Sequence, residues 1–157
     1  MDAVGNVYGL TEEGGTAGVG TVYELSHAGT FKLLQSFAGG AQNGCHPFGI
    51  PFIDQNGNIY GTTFGCGSLS LGTVWRVAKD GTETLLHNFA GGKKDGTEPF
   101  SGVIADAAGN LYGNTEIRGT SNQGTVYAIN AKGKLSLLHS FAGSDGAFPV
   151  GVWGTKK

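Results

Sequence analysis

The sequence predicts an all-β, β-propeller-like chain of three four-stranded repeats, each 52 residues long. Three observations carry this reading. Landmarks recur in one register along the whole chain. Tyr8, Tyr60 and Tyr112 each precede a glycine, and Gly20-Thr21-Val22-Tyr23 returns as Gly72-Thr73-Val74-Trp75 and Gly124-Thr125-Val126-Tyr127. Leu33-Leu34 with Phe37 likewise returns as Leu85-Leu86 with Phe89 and Leu137-Leu138 with Phe141. Tight-turn dipeptides such as Asn56-Gly57 and Asp80-Gly81 separate the apolar runs, as hairpins require. Finally, 30 glycines beside a hydrophobic fraction of 39% suit a turn-rich chain that still buries a core.

The chain is one repeat domain, 1–157, with repeats at about 2–53, 54–105 and 106–157. In the middle repeat, Pro47 opens strand A at 48–53. Strand B follows at 58–63, strand C at 73–77 and strand D at 82–89. Prolines at Pro99 and Pro149 open strand A of the following units, the last two residues early because its loop is shorter. A four-stranded antiparallel meander, repeated, is the signature of propeller blades. A β-trefoil also has three such repeats and is the rival. Tight A–B and C–D turns favour blades.

The first repeat lacks strand A, and the segment after Pro149 is a strand A without a blade. Propellers close with four to eight blades. The expected assembly is a homo-oligomer, a dimer closing six blades, in which each terminal strand completes the partner's first blade and covers its open edge.

Composition narrows the function. Ten Lys+Arg and a net charge of −2 leave no basic stripe, so no nucleic-acid partner is expected. No apolar run reaches the roughly 18 residues of a membrane helix, so no membrane partner is expected either. Met1-Asp2-Ala3-Val4 is no signal peptide. That fits a cytoplasmic protein, or a secreted one whose leader is absent. No Gly-x-Ser-x-Gly elbow, His-Glu-x-x-His helix or phosphate loop is present.

The hairpin Pro99-Phe100-Ser101-Gly102-Val103-Ile104-Ala105-Asp106-Ala107-Ala108-Gly109-Asn110-Leu111-Tyr112 resembles those of NHL and gluconolactonase-type propellers. The whole unit, with its Gly-Thr-Val-Tyr and Leu-Leu-x-Ser-Phe segments, resembles the GloVer tandem repeats of Gloeobacter, Verrucomicrobia and acidobacterial proteins. That resemblance spans nearly all the chain and names a repeat, not an activity. It extends to the expectation that short proteins of this repeat type include acyl-homoserine lactone hydrolases.

Function is expected where the repeats disagree. Centring the middle hairpin on Asn56 sets His46 opposite Cys66, with Cys45 adjacent. The same register sets Glu98 opposite Arg118. Both pairs read as staples, a disulfide and an ion pair. The alternative for Cys45, His46 and Cys66 is a metal or nucleophile cluster, which lacks a fourth ligand for zinc. Asp54-Gln55-Asn56-Gly57-Asn58 starts like a calcium loop but has Ile59 at the glycine position and Gly65 at the glutamate position. It reads as a capped turn.

Just ahead of the prolines, at what would be a propeller's channel mouth, the repeats carry His46, Glu98 and Phe148. Gluconolactonase-like propellers place a cation-binding glutamate here, and Glu98-Pro99 resembles it without the glycine. That resemblance implies a divalent cation held by Glu98, and a carboxylate with Asp95 close by suits Ca2+, a hard cation that prefers oxygen ligands. Glu116, matched by Glu12 in the first repeat, is a further candidate ligand, the alternative for both being a solvated loop charge. His27 reads as a turn residue; His87 and His139 read as surface residues of strand D. The expected activity is divalent-cation-dependent opening of a small lactone, with His46 or Glu98 activating water. The other class is a lectin-like or scaffold module with Trp75 and Trp153 as sugar platforms.

Overall fold

The computed structural model describes residues 1–2, 4–152 and 154. Asp54 makes the repeat's first turn. Its Oδ1 accepts the backbone N–H groups of Asn56 and Asn58, both at 2.9 Å. Its Oδ2 accepts from Asn58 Nδ2 at 2.8 Å and from the Tyr60 hydroxyl at 3.1 Å. Gly57, at φ +82°, takes the left-handed step that a three-residue hairpin loop needs. Asp2 with Asn6 and Tyr8, and Asp106 with Asn110 and Tyr112, repeat the arrangement. The capped-turn reading of Asp54 therefore holds.

Each strand pairs antiparallel with the next in its repeat, so the chain forms antiparallel meanders. The first sheet contains β1 (Val7–Thr11), β2 (Thr21–Leu25) and β3 (Phe31–Ser36). The second runs β4 (Gly44–Ile53), β5 (Ile59–Cys66), β6 (Thr73–Val77) and β7 (Glu83–Asn88). The third runs β8 (Val103–Ala105), β9 (Leu111–Thr115), β10 (Thr125–Ile129) and β11 (Leu135–Ser140). No helix is present among the described residues, and so none long enough to cross a membrane. The all-β prediction holds, and among the described residues the first sheet has three strands, with no strand A, as expected.

No ladder joins one sheet to another among the described residues. A trefoil would pair strands of different repeats into one barrel, so that rival is set aside. The sheets meet through side chains instead. Val22 and Phe37 of the first repeat pack with Ile59, Trp75 and Val77 of the second. Val74 and Phe89 then pack with Leu111, Tyr127 and Ile129 of the third. Phe37 meets Trp75 edge-on at 5.3 Å between ring centroids, and Phe89 meets Tyr127 the same way at 5.3 Å. Burying each of these rings contributes about 1.5–3 kcal/mol.

The Tyr-Gly landmark has its cause here. Gly9, Gly61 and Gly113 sit opposite Tyr23, Trp75 and Tyr127. A β-carbon at Gly61 would overlap the Trp75 ring. Trp75 is fully buried, which removes it as a sugar platform; Trp153 lies outside the described residues. A bulge also recurs between strands C and D, shifting register after Val22, Val74 and Val126. It turns the second leucine of each Leu-Leu pair out of alternation, so Leu34 and Leu86 reach the inter-sheet cores.

Strand A departs from its expected bounds. β4 starts at Gly44, ahead of Pro47, and its register shifts between Phe48 and Phe52. Pro47 is tolerated because β4 is an edge strand. Residues 149–152 form no strand, so the expected last strand A is not seen in the described residues.

Candidate functional site

The register shift in β4 rearranges the hairpin mouth. Gly44, not His46, lies opposite Cys66, and Cys45 lies opposite Gly65. The Cys45–Cys66 disulfide closes this mouth across a sequence separation of 21. That settles the staple reading over the metal cluster. The equivalent slip in the third repeat pairs Thr97 with Ile117 and brings the Glu116 N–H to the Glu98 carbonyl at 3.1 Å. The expected Glu98–Arg118 ion pair does not form, because the centre of symmetry at the turn no longer applies beyond the shift.

His46, Glu98 and Phe148 share one backbone shape. Their φ values are +54°, +58° and +52°, a left-handed conformation that costs a non-glycine residue about 1–2 kcal/mol. Each backbone N–H docks on a loop of the preceding repeat. His46 donates to Val19 O at 2.8 Å, Glu98 to Leu71 O at 3.2 Å, and Phe148 to Gln123 O at 2.8 Å. The proline that follows packs against the glycine of the preceding Gly-Thr-Val landmark: Pro47 on Gly20, Pro99 on Gly72, Pro149 on Gly124. Backbone and proline hold the position, which leaves the side chain free to differ.

His46 Nδ1 lies 3.2 Å from the Glu12 carbonyl oxygen. A carbonyl only accepts, so Nδ1 is the donor here, and the neutral form of the ring carries its lone pair on Nε2. The imidazole stacks on Phe64 at 5.5 Å, Phe64 stacks on Phe100 at 5.2 Å, and Phe48 stands edge-on to Phe100 at 5.2 Å. Phe48 remains 43% exposed, so the cluster presents an apolar wall to solvent beside the base. Phe64 was missed in the sequence. It stands where the other repeats have Glu12 and Glu116, and comparing that column would have found it.

The carboxylates expected to hold calcium are placed differently. Asp95 Oδ1 pairs with His87 Nε2 at 3.0 Å, and its Oδ2 accepts the Ala90 N–H at 2.7 Å. Asp145 repeats this with His139 and Ala142, and Asn43 caps Ala38 likewise. Both histidines are loop-closing partners; His139 lies at the surface as read, while His87 is half-buried. The Ala142 N–H, with the His139 contact, holds the Asp145 carboxyl below its ordinary range. The Glu98 and Glu116 side chains have no hydrogen-bond or ion-pair partner among the described residues, and no three His, Cys, Asp or Glu side chains gather there as a ligand group.

At the far turn, burial raises the Asp54 carboxyl, but the Asn58 and Asn56 bonds lower it further, for a net downward shift. Burial and the Asp54 charge raise the Tyr60 hydroxyl. The Asp106 carboxyl is lowered by its Asn110 bonds.

The Gloeobacter/Verrucomicrobia repeat family model matches residues 1–156. No curated protein matches the chain. The chain belongs to the Gloeobacter/Verrucomicrobia repeat family.

Proposed function

We propose that this repeat-family chain folds as a set of propeller blades and opens small lactones with an apolar tail at the mouth formed by His46, Phe48, Phe64 and Phe100. The blade reading is supported by sheets that pack face to face in chain order. It is supported too by the close approach of neighbouring A strands, where Gly49 lies against the backbone of Ser101 and Gly102.

The observation that carries the catalytic reading is the Glu12 carbonyl on His46 Nδ1, which makes Nε2 the basic nitrogen of the neutral ring, beside an aromatic wall. Water attacks the lactone carbonyl while Nε2 takes its proton. The ring C–O bond then breaks, and the imidazolium returns the proton to the leaving alkoxide. Glu98, unpartnered, supplies a carboxylate to orient that water. No step is routed through a cation.

The test follows ring opening of an N-acyl-homoserine lactone, with and without chelator, in wild type, His46→Ala and Glu98→Gln. Wild-type turnover that falls about 100-fold or more in His46→Ala supports the base role. No ring opening by wild type leaves the second reading, a non-catalytic binding module. The half-exposed Phe48 ring in a four-ring cluster favours that reading. Loss of rate with chelator adds a divalent cation carried by Glu98.

A further inference from the structure

The inner sheet shows what each outer sheet lacks. Ile59 and Val77 are 3% and 1% exposed because the first sheet covers them. Their equivalents one repeat earlier, Val7 and Leu25, are 46% and 40% exposed. Tyr23, equivalent to the buried Trp75 and Tyr127, is only half-buried and stacks on the exposed Phe31. Leu33, equivalent to Leu85, is also exposed. This face of the first sheet therefore carries the apolar set that elsewhere receives a preceding sheet.

The third sheet carries the opposite half. Val22, Val74, Phe37 and Phe89 are fully buried under the following sheet. Their equivalents Val126 and Phe141 are only half-buried, and Leu138, equivalent to Leu34 and Leu86, is 54% exposed. Within the chain, this half meets the other half twice, each time with the phenylalanine edge-on to the aromatic of the next sheet. The two open faces are thus the two sides of one interface already formed twice.

We infer that the open face of the first sheet, around Tyr23 and Leu33, docks on the open face of the third sheet, around Leu138 and Phe141, of a second copy. The two copies pair head to tail. A two-fold arrangement satisfies both faces of both copies at once and leaves no unpaired end, whereas a head-to-head pairing matches neither set. The contact is side chain to side chain, as between the internal sheets, and needs no exchanged strand.

The experiment is light scattering on the 157-residue chain and on Leu33→Lys and Leu138→Glu. Wild type should run at twice the 16.1 kDa of one chain. Each variant alone spoils both junctions and should weaken association at least about 30-fold, the scale of an interface hot spot. Mixing the two variants should restore the two-copy mass. The mixed pair has one junction with both faces native and one that sets lysine against glutamate. Misfolded variants would not recover on mixing, so that arm separates lost folding from lost contact. A wild-type mass other than two copies, unchanged association in both folded variants, or no recovery on mixing overturns the inference.

Discussion

The two ends of each repeat are held by opposite means. At the A–B turn, side chains do the holding: Asp54, Asn58 and Tyr60 form a closed set, and the other repeats keep the same residue types. At the mouth, backbone does the holding through a left-handed residue, an N–H to the preceding repeat and a proline on a glycine. There the repeats carry His46, Glu98 and Phe148 on one scaffold. Where side chains build the fold they repeat. Where backbone builds it, they are free to take up chemistry.

The contrast can be broken or sharpened by substitution. The largest stability effect belongs to the staple at the mouth. Replacing Cys45 and Cys66 by serine should remove about 3 kcal/mol, since the crosslink limits the unfolded chain. Thermal melting should fall by roughly 6–12 °C for a chain of this size. An unchanged melt would show that the mouth is held without it.

His46→Ala should lower lactone turnover about 100-fold, equivalent to about 2.7 kcal/mol of barrier, and leave melting nearly unchanged. Asp54→Ala should do the reverse. It removes an acceptor of several bonds at a partly exposed turn and should cost about 1–2 kcal/mol of stability in denaturant titration, with turnover retained. If the Asp54 variant lost activity while keeping its stability, the division of labour between the ends would be wrong.

Acid should act on the turn end first. The folded carboxyls of Asp2, Asp54 and Asp106 titrate below the 3.8 of a free aspartate. Their contribution is complete above that value and is lost as pH falls through the lower, folded values. Melting temperature should therefore decline as pH drops below about 4 from this source. Asp54→Asn should flatten that decline, which a pH series of melts will read.

The smallest effect is expected at Glu98. Glycine accepts φ +58° without penalty but gains freedom when unfolded, so Glu98→Gly should raise stability by less than about 1 kcal/mol. A marked loss would mean that the Glu98 side chain supports the fold after all.

Much of the architecture was legible because the 52-residue period repeats each local decision three times. Strand C of the middle repeat falls at Thr73–Val77 as read, since a Gly-Thr-Val landmark and a hairpin turn bound it on both sides. The mouth was less legible. Counting outward from Asn56 assumes an uninterrupted ladder, and the shift between Phe48 and Phe52 breaks it. His46 was singled out as a point of difference, but its Glu12 carbonyl partner lies in another repeat and left no local trace.

Period, turn chemistry and the alternation of strands are short-range matters, decided by neighbouring residues and by turns that admit few conformations. They were therefore written in the order of the amino acids. What Trp75 covers, which carboxylates stay unpartnered and which faces of the outer sheets remain open depend on contacts between repeats. Those contacts join residues far apart in the chain, such as Phe37 with Trp75 and Phe89 with Tyr127, and only the folded chain decides them.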